Sequence, residues 1–143
     1  MIVLDTDAIT FLEERKRGTS QQLRDRLAIL SAEHDIVTTI ITYEEQTRGW
    51  MSEFTKALTP QCLIDAYNDL LQHLNVYKNT DVIPYTLAAE SKYQELRKQK
   101  IRIGTRDLRI AAITLTHNAT LLTRNLQDFT KIPGLRIEDW TKP

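Results

Sequence analysis

The sequence predicts an α/β fold built on a mainly parallel sheet. Short apolar runs alternate with helical patterns along the chain, the signature of strands joined by helical crossovers. The runs are also apolar without interruption, as strands covered on both faces by helices must be.

Taken in order, Met1 to Asp5 is an apolar run ending in an acid and reads as the first strand. Asp7 to Glu14 reads as a short helix. Thr19 or Ser20 can cap a second, with Leu23, Leu27 and Leu30 on one face. Ile36 to Ile41, rich in Val, Ile and Thr, reads as a strand, followed by a helix from Tyr43 to Ala57. Thr59-Pro60 is an N-cap followed by a first-turn proline. The helix it opens carries Leu63, Tyr67, Leu70, Leu71 and Leu74 as an apolar stripe. Asp81 to Ile83 is a short strand before Pro84, and Tyr85 to Lys98 a further helix. Gly104-Thr105 opens the clearest helix, with Leu108, Ala111, Ala112 and Leu115 on one face and Asn118 as its stop. Ala119 to Thr123 and Leu135 to Glu138 complete the sheet, the last as an edge.

The 143 residues fit one domain, 1–143, able to build a core without staples. One cysteine, Cys62, excludes an intramolecular disulfide and a cysteine-based zinc cluster, and is expected in the core. No apolar run reaches the roughly 18 residues of a membrane span, and no signal peptide is expected, so the expected location is cytoplasmic. With 19 basic against 19 acidic residues, the formal charge is zero, which argues against bulk electrostatic attraction to nucleic acid.

Ligands of open α/β sheets bind beyond the carboxyl ends of the strands. Asp5 ends the first strand, Glu44 and Glu45 follow the second, and Asn125 and Asp128 follow the strand at 119–123. Asp107 lies in the first turn of the best helix. Acids distant in sequence can therefore meet on one rim. Gathered carboxylates repel one another unless a cation joins them, and Mg2+ or Mn2+ takes such oxygen ligands together with water and phosphate. The chemistry implied is metal-assisted phosphodiester hydrolysis. Each acid also has an ordinary structural reading: Asp5-Thr6-Asp7 as a helix cap, Asp107 as a dipole complement, Glu44 and Glu45 as a solvated face, Asp128 as a turn cap.

Four ordered segments resemble the PIN-domain ribonucleases, in particular the VapC-type toxins of prokaryotic toxin–antitoxin modules. They are Val3-Leu-Asp-Thr-Asp-Ala-Ile9, Ile41-Thr-Tyr-Glu-Glu-Gln-Thr-Arg-Gly49, Ile103-Gly-Thr-Arg-Asp-Leu-Arg-Ile-Ala-Ala112 and Leu121-Leu-Thr-Arg-Asn-Leu-Gln-Asp-Phe129. The segments Ile132-Pro-Gly-Leu135 and Glu138-Asp-Trp140 resemble the family's ending. The resemblance spans nearly the whole chain. It implies a PIN-like fold, a five-stranded mainly parallel sheet in three α/β/α layers, and Mg2+- or Mn2+-dependent cleavage of RNA of the tRNA or rRNA class. It further implies a homodimer and inhibition by a cognate antitoxin; no membrane association is expected, from the lack of a long apolar run. Asp5 and Asp107 become the principal metal ligands. Glu45, four residues before Gly49, completes the acidic site, with Thr6 and Thr123 as supporting hydroxyls. Many family members have an acid where this chain has Asn125, so the fourth position falls either to Asn125, whose carbonyl can ligate metal or orient water, or to Asp128, three residues later, as the carboxylate. The amide at 125 also keeps open a catalytically weak RNA- or protein-binding module.

The zero net charge conceals a local excess. Between Lys92 and Arg109, seven basic residues face only Glu95 and Asp107. Arg106 and Arg109 flank Asp107, and Arg48 and Arg124 flank the other motifs, which makes these four the candidates for holding RNA phosphates. Phe54, Leu63, Tyr67 and Leu71 suit either core packing or a partner. Trp50, after Gly49, is expected exposed at an interface. His34, His73 and His117 show no ligand spacing.

Overall fold

The computed structural model describes residues 1–13 and 19–141, without the side chains of Thr19 and Ser20. The expected helix end at Glu14 and the side-chain cap at Thr19 or Ser20 therefore lie outside the described residues. The elements run β1 (Ile2–Leu4), α1 (Thr6–Glu13), α2 (Thr19–Leu30), β2 (Ile36–Thr39), α3 (Ile40–Lys56), α4 (Pro60–Lys78), β3 (Asp81–Ile83), α5 (Leu87–Lys98), α6 (Thr105–Thr116), β4 (Thr120–Leu122), α7 (Leu126–Phe129) and β5 (Arg136–Glu138).

The sheet is five-stranded in the order β3-β2-β1-β4-β5, and all four pairings are parallel. The pleat sends alternate side chains to opposite faces. Val3, Val37 and Leu121 enter one core with Leu108, Ile110 to Ile113 and Phe129. Ile2, Leu4 and Leu122 enter the other with Ala8, Ile9, Phe11 and Leu23. The continuous apolar runs thus serve two helical layers, giving the three-layer α/β/α arrangement. The order in which strands are added reverses about β1: β2 and β3 lie on one side of it, β4 and β5 on the other. The carboxyl ends of β1 and β4 therefore border the crevice where such sheets bind ligands.

Caps explain where the elements depart from the sequence reading. Strand β2 stops at Thr39, two residues early, because the Thr39 hydroxyl accepts a hydrogen bond from Thr42 N and starts α3 at Ile40. Thr86 likewise starts α5 at Leu87 by accepting from Ala89 N. Asn118 ends the α6 region with a left-handed φ of 49°, as a stop residue should. The single turn of α7 falls where the sequence shows only the sparse pattern of a loop.

On α4 one open choice is decided and one expectation is overturned. Leu63, Tyr67 and Leu71, which suit either core packing or a partner, are exposed together with Leu74, while Ala66 and His73 are the buried residues of that helix. Cys62 is also exposed, one turn ahead of the point where burial on α4 begins. The helix packs on α3 rather than on the sheet, so a narrow seam suffices and the broad stripe is left outside.

Candidate active site

Asp5 follows β1 directly and precedes the first residue of α1. Its backbone N donates to Leu122 O of the neighbouring strand at 3.0 Å, which keeps Asp5 in register with the end of β4. The residue is only 4% exposed. Both carboxylate oxygens are held: Oδ1 accepts from Thr6 N at 2.7 Å, and Oδ2 accepts from the Thr123 hydroxyl at 2.8 Å. The Thr123 oxygen in turn accepts from Asn125 N at 3.0 Å, so one threonine ties the β1 carboxylate to the turn after β4. Thr6 is fixed from the other side, its hydroxyl donating to Thr42 Oγ1 at 3.2 Å.

A cavity of about 410 Å³ opens above this arrangement, lined by Asp5, Thr6, Asp7, Thr10, Phe11, Glu45, Asp107, Arg124 and Asn125. Residues from α1, α3, α6 and the β4–α7 turn thus meet at one rim, as the sequence reading requires of Asp5, Thr6, Glu45, Asp107 and Asn125. Thr123 lies beneath them. The carboxyls carry the electrostatic mark of this gathering. Burial pushes Asp5 up to about 7, helped by Asp7 and Asp107 and opposed by the Thr123 hydrogen bond. Burial likewise raises Asp107, with Asp128 and Asp7 adding repulsion. Glu45 is raised by burial and by Asp107, and Arg106 acts against the shift.

Asp7 is the site residue that the sequence reading passes over. It lines the cavity, accepts from Arg124 N at 3.3 Å, and is raised chiefly by burial. Its signal is its place in Asp5-Thr6-Asp7: in the first turn of a helix that starts at the strand end, the second acid stays at the rim.

Asp128 is placed differently from Asn125. Its Oδ2 accepts from Asn125 Nδ2 at 3.1 Å and its Oδ1 from Lys131 Nζ at 3.4 Å, which keeps its carboxyl below the usual range. It stands behind Asn125 and is not among the cavity-lining residues, although its charge reaches Asp107. The fourth position at the rim is therefore occupied by the amide.

The four arginines also divide. Arg124 lines the cavity with its guanidinium 5.0 Å from the Phe11 ring centre. Arg106 lies close to the acids, 3.8 Å from Glu44 Oε1, and Arg48 pairs with Glu44 at 3.3 Å. Arg109 does not reach the rim. Its guanidinium lies over the Tyr93 ring at 5.0 Å, between α5 and α6. Two steps along a helix turn the side chain by about 200°, so Arg109 faces away from Asp107.

Among the described residues, no three carboxyl, imidazole or thiol groups close around a point as a complete cage. The donor set instead suits a hard cation that takes one or two carboxylates and keeps water and phosphate as its other ligands. The raised carboxyls fit such a cation, which would supply the charge that they lack together. Asp5 and Asp107 would be the residues to hold it, with Asp7 and Glu45 beside them in the cavity lining. Removing the hydroxyl that holds Asp5 tests this. Thr123→Val should weaken Mn2+ binding roughly 10- to 100-fold, while Thr123→Ser should restore it. A metal titration checks it, and an unchanged midpoint for the valine variant would rule out the supporting role.

A family model described as the PIN domain matches residues 2–135. The chain is 31% identical over 142 residues to Ribonuclease VapC1 of Haemophilus influenzae strain R2866, covering 98% of each chain. Among solved structures it resembles VapBC-1 from nontypeable Haemophilus influenzae with a TM-score of 0.77 and 27% identity, over 99% of this chain and 100% of that one. A toxin-antitoxin complex from Klebsiella pneumoniae shares the fold, with a TM-score of 0.67 at 20% identity over 98% of both chains.

Proposed function

Since this chain belongs to the PIN domain family and is a relative of the VapC ribonucleases, we propose that it is a Mg2+- or Mn2+-dependent endoribonuclease held inactive by a cognate antitoxin. The observation that carries the reading is the buried Asp5 carboxylate, fixed at both oxygens and sharing a cavity with Asp7, Glu45 and Asp107.

Asp5 and Asp107 would hold the divalent cation, which would supply charge to activate water and to neutralise a phosphoryl oxygen. The protein supplies position and proton handling. Thr6 N and the Thr123 hydroxyl set the direction of Asp5. Asn125 gives its amide N–H to Asp128, which leaves its carbonyl oxygen as the acceptor for water or cation. Glu45, raised by its surroundings, takes a proton from the attacking water more readily than an ordinary surface glutamate. Arg124 and Arg106 sit where a phosphate backbone crosses the rim, and compensate locally for the zero net charge.

RNA of the tRNA or rRNA class is the proposed substrate, and the cytoplasm the proposed location. Among the described residues, no helix is long and apolar enough to cross a membrane. The exposed face of Leu63, Ile64, Tyr67, Leu71 and Leu74 on α4, extended by Leu58, supports the protein partners, antitoxin and second copy. The decisive test is a metal titration with purified protein and defined RNA. Cleavage should require Mn2+ or Mg2+, stop in EDTA, and return when metal is restored. Metal-independent binding without cleavage would favour the RNA- or protein-binding module instead.

A further inference from the structure

A second cavity of about 350 Å³ adjoins the first and shares Thr6, Thr10 and Glu45 with it. It lies between two helix faces. Thr6, Thr10 and Glu13 recur at helical spacing on α1, and Gln46, Gly49, Trp50 and Glu53 do so on α3. Gly49 leaves room there, with nothing within 4 Å of the place a Cβ would take. Trp50 is half-buried on the wall of this cavity rather than exposed at an interface, and its ring packs against His73 at 6.4 Å.

Most polar groups of the pocket are already engaged. The Gln46 amide donates to the Thr10 hydroxyl at 3.2 Å and accepts from Tyr77. Glu53 is paired with Lys56 at 3.4 Å. The Glu45 side chain makes no hydrogen bond among the described residues; it is repelled by Asp107 and attracted by Arg106 at the edge shared with the first cavity. Glu13 differs: its Oε1 is buried and has no hydrogen-bond partner among the described residues. The pocket therefore offers an aromatic wall, open volume and, in Glu13, a carboxylate with a buried, unpartnered oxygen, next to the cleft proposed to hold the scissile phosphate.

Unpaired RNA bases are recognised by stacking on aromatic side chains and by hydrogen bonds at their Watson–Crick edge. A carboxylate only accepts, and can accept two parallel N–H groups. Guanine presents two adjacent donors on that edge, N1–H and the 2-amino group. Adenine and cytosine offer one donor beside an acceptor, and uracil one donor between two acceptors. We propose that this second cavity seats a guanine of the substrate, stacked on Trp50 and read by Glu13. The proposal rests on the ribonuclease reading and deepens it by naming the base that the site selects.

The test titrates the full chain, carrying Trp140→Phe so that Trp50 is its remaining tryptophan, with guanosine and adenosine monophosphates in Mg2+. Guanosine monophosphate should quench Trp50 fluorescence with an affinity about tenfold or more above adenosine monophosphate. Glu13→Gln should erase the preference with an unchanged circular dichroism spectrum. Trp50→Phe, read by calorimetry, should keep part of the binding. Equal affinities, no binding, or a preference that survives Glu13→Gln would overturn the assignment. So would quenching by an arginine-rich peptide alone, which would give the pocket to a basic protein segment. Cleavage of a defined RNA by the same preparation, against an Asp5→Asn control, reports separately on the ribonuclease reading. Absent cleavage would sink that reading, while the nucleotide titration still decides the pocket.

Discussion

Asp5→Asn and Asp107→Asn should each lower RNA cleavage by on the order of 10³-fold while leaving the fold intact. The amide keeps the size of the carboxyl and removes its charge. At Asp5 the amide oxygen still accepts from one of its two donors, the Thr6 N–H or the Thr123 hydroxyl, so the turn loses one hydrogen bond at most. At Asp107 the side chain is half-buried in the first turn of α6 and relief of repulsion with Asp5 offsets part of any loss. The variants should therefore melt as cooperatively as the parent. The check is single-turnover cleavage in Mn2+ alongside thermal melting. A well-folded variant cutting at the parent rate would remove that residue from the site.

The second large effect is on stability in the absence of metal. The Asp5 carboxyl moves from 3.8 in the ordinary state to about 7 in the folded protein, chiefly through burial. The folded chain therefore holds a proton that the unfolded chain has released between those values. Stability is retained below the lower value and falls as pH rises toward the upper one. At about 1.4 kcal/mol per pH unit, the loss approaches about 4 kcal/mol for Asp5. Asp7, Glu45 and Asp107 shift in the same direction and add to it. In EDTA, the melting temperature should thus drop by on the order of 10 °C between about pH 5 and pH 8. Saturating Mn2+ should remove most of the drop, because the cation replaces the missing proton. Asp5→Asn should flatten the EDTA profile. A profile that is flat or rises in EDTA for the parent protein would contradict the electrostatic picture of the site.

The two effects share one cause, which also explains the composition. Nineteen basic and nineteen acidic residues cancel in the formal count. In space they separate into a carboxylate rim that favours a proton or a cation and arginines placed around it. Zero net charge is therefore compatible with a nucleic-acid substrate, since the relevant field is that of the cleft.

What was legible in the sequence follows from backbone periodicity and from the strand ends. Uninterrupted runs such as Ile2–Leu4 and Thr120–Leu122 can only be satisfied between two helical layers, and the caps at Thr59 and Asn118 are local in origin. Asp5 and Asp107 needed only their position at the ends of elements to be placed at one rim, whereas Glu45 was separated from Glu44 by the motif spacing to Gly49. Long-range contacts decided the rest. The Thr123 hydroxyl reaches Asp5 across 118 positions, which no local pattern encodes. Asn125 lines the cavity, and Asp128 is held away from it because the Asn125 amide and Lys131 each engage one of its carboxylate oxygens. Arg109 is taken by the Tyr93 ring, although nearby Asp107 stays in the cavity. Side chains one or two residues apart on a helix point to different surroundings, so charge next to a motif does not establish charge in the site. The sequence alone therefore determined the layered fold and the acids that can gather. The tertiary structure determined which of them face one another, because that depends on how α1, α3 and α6 pack around the ends of β1 and β4.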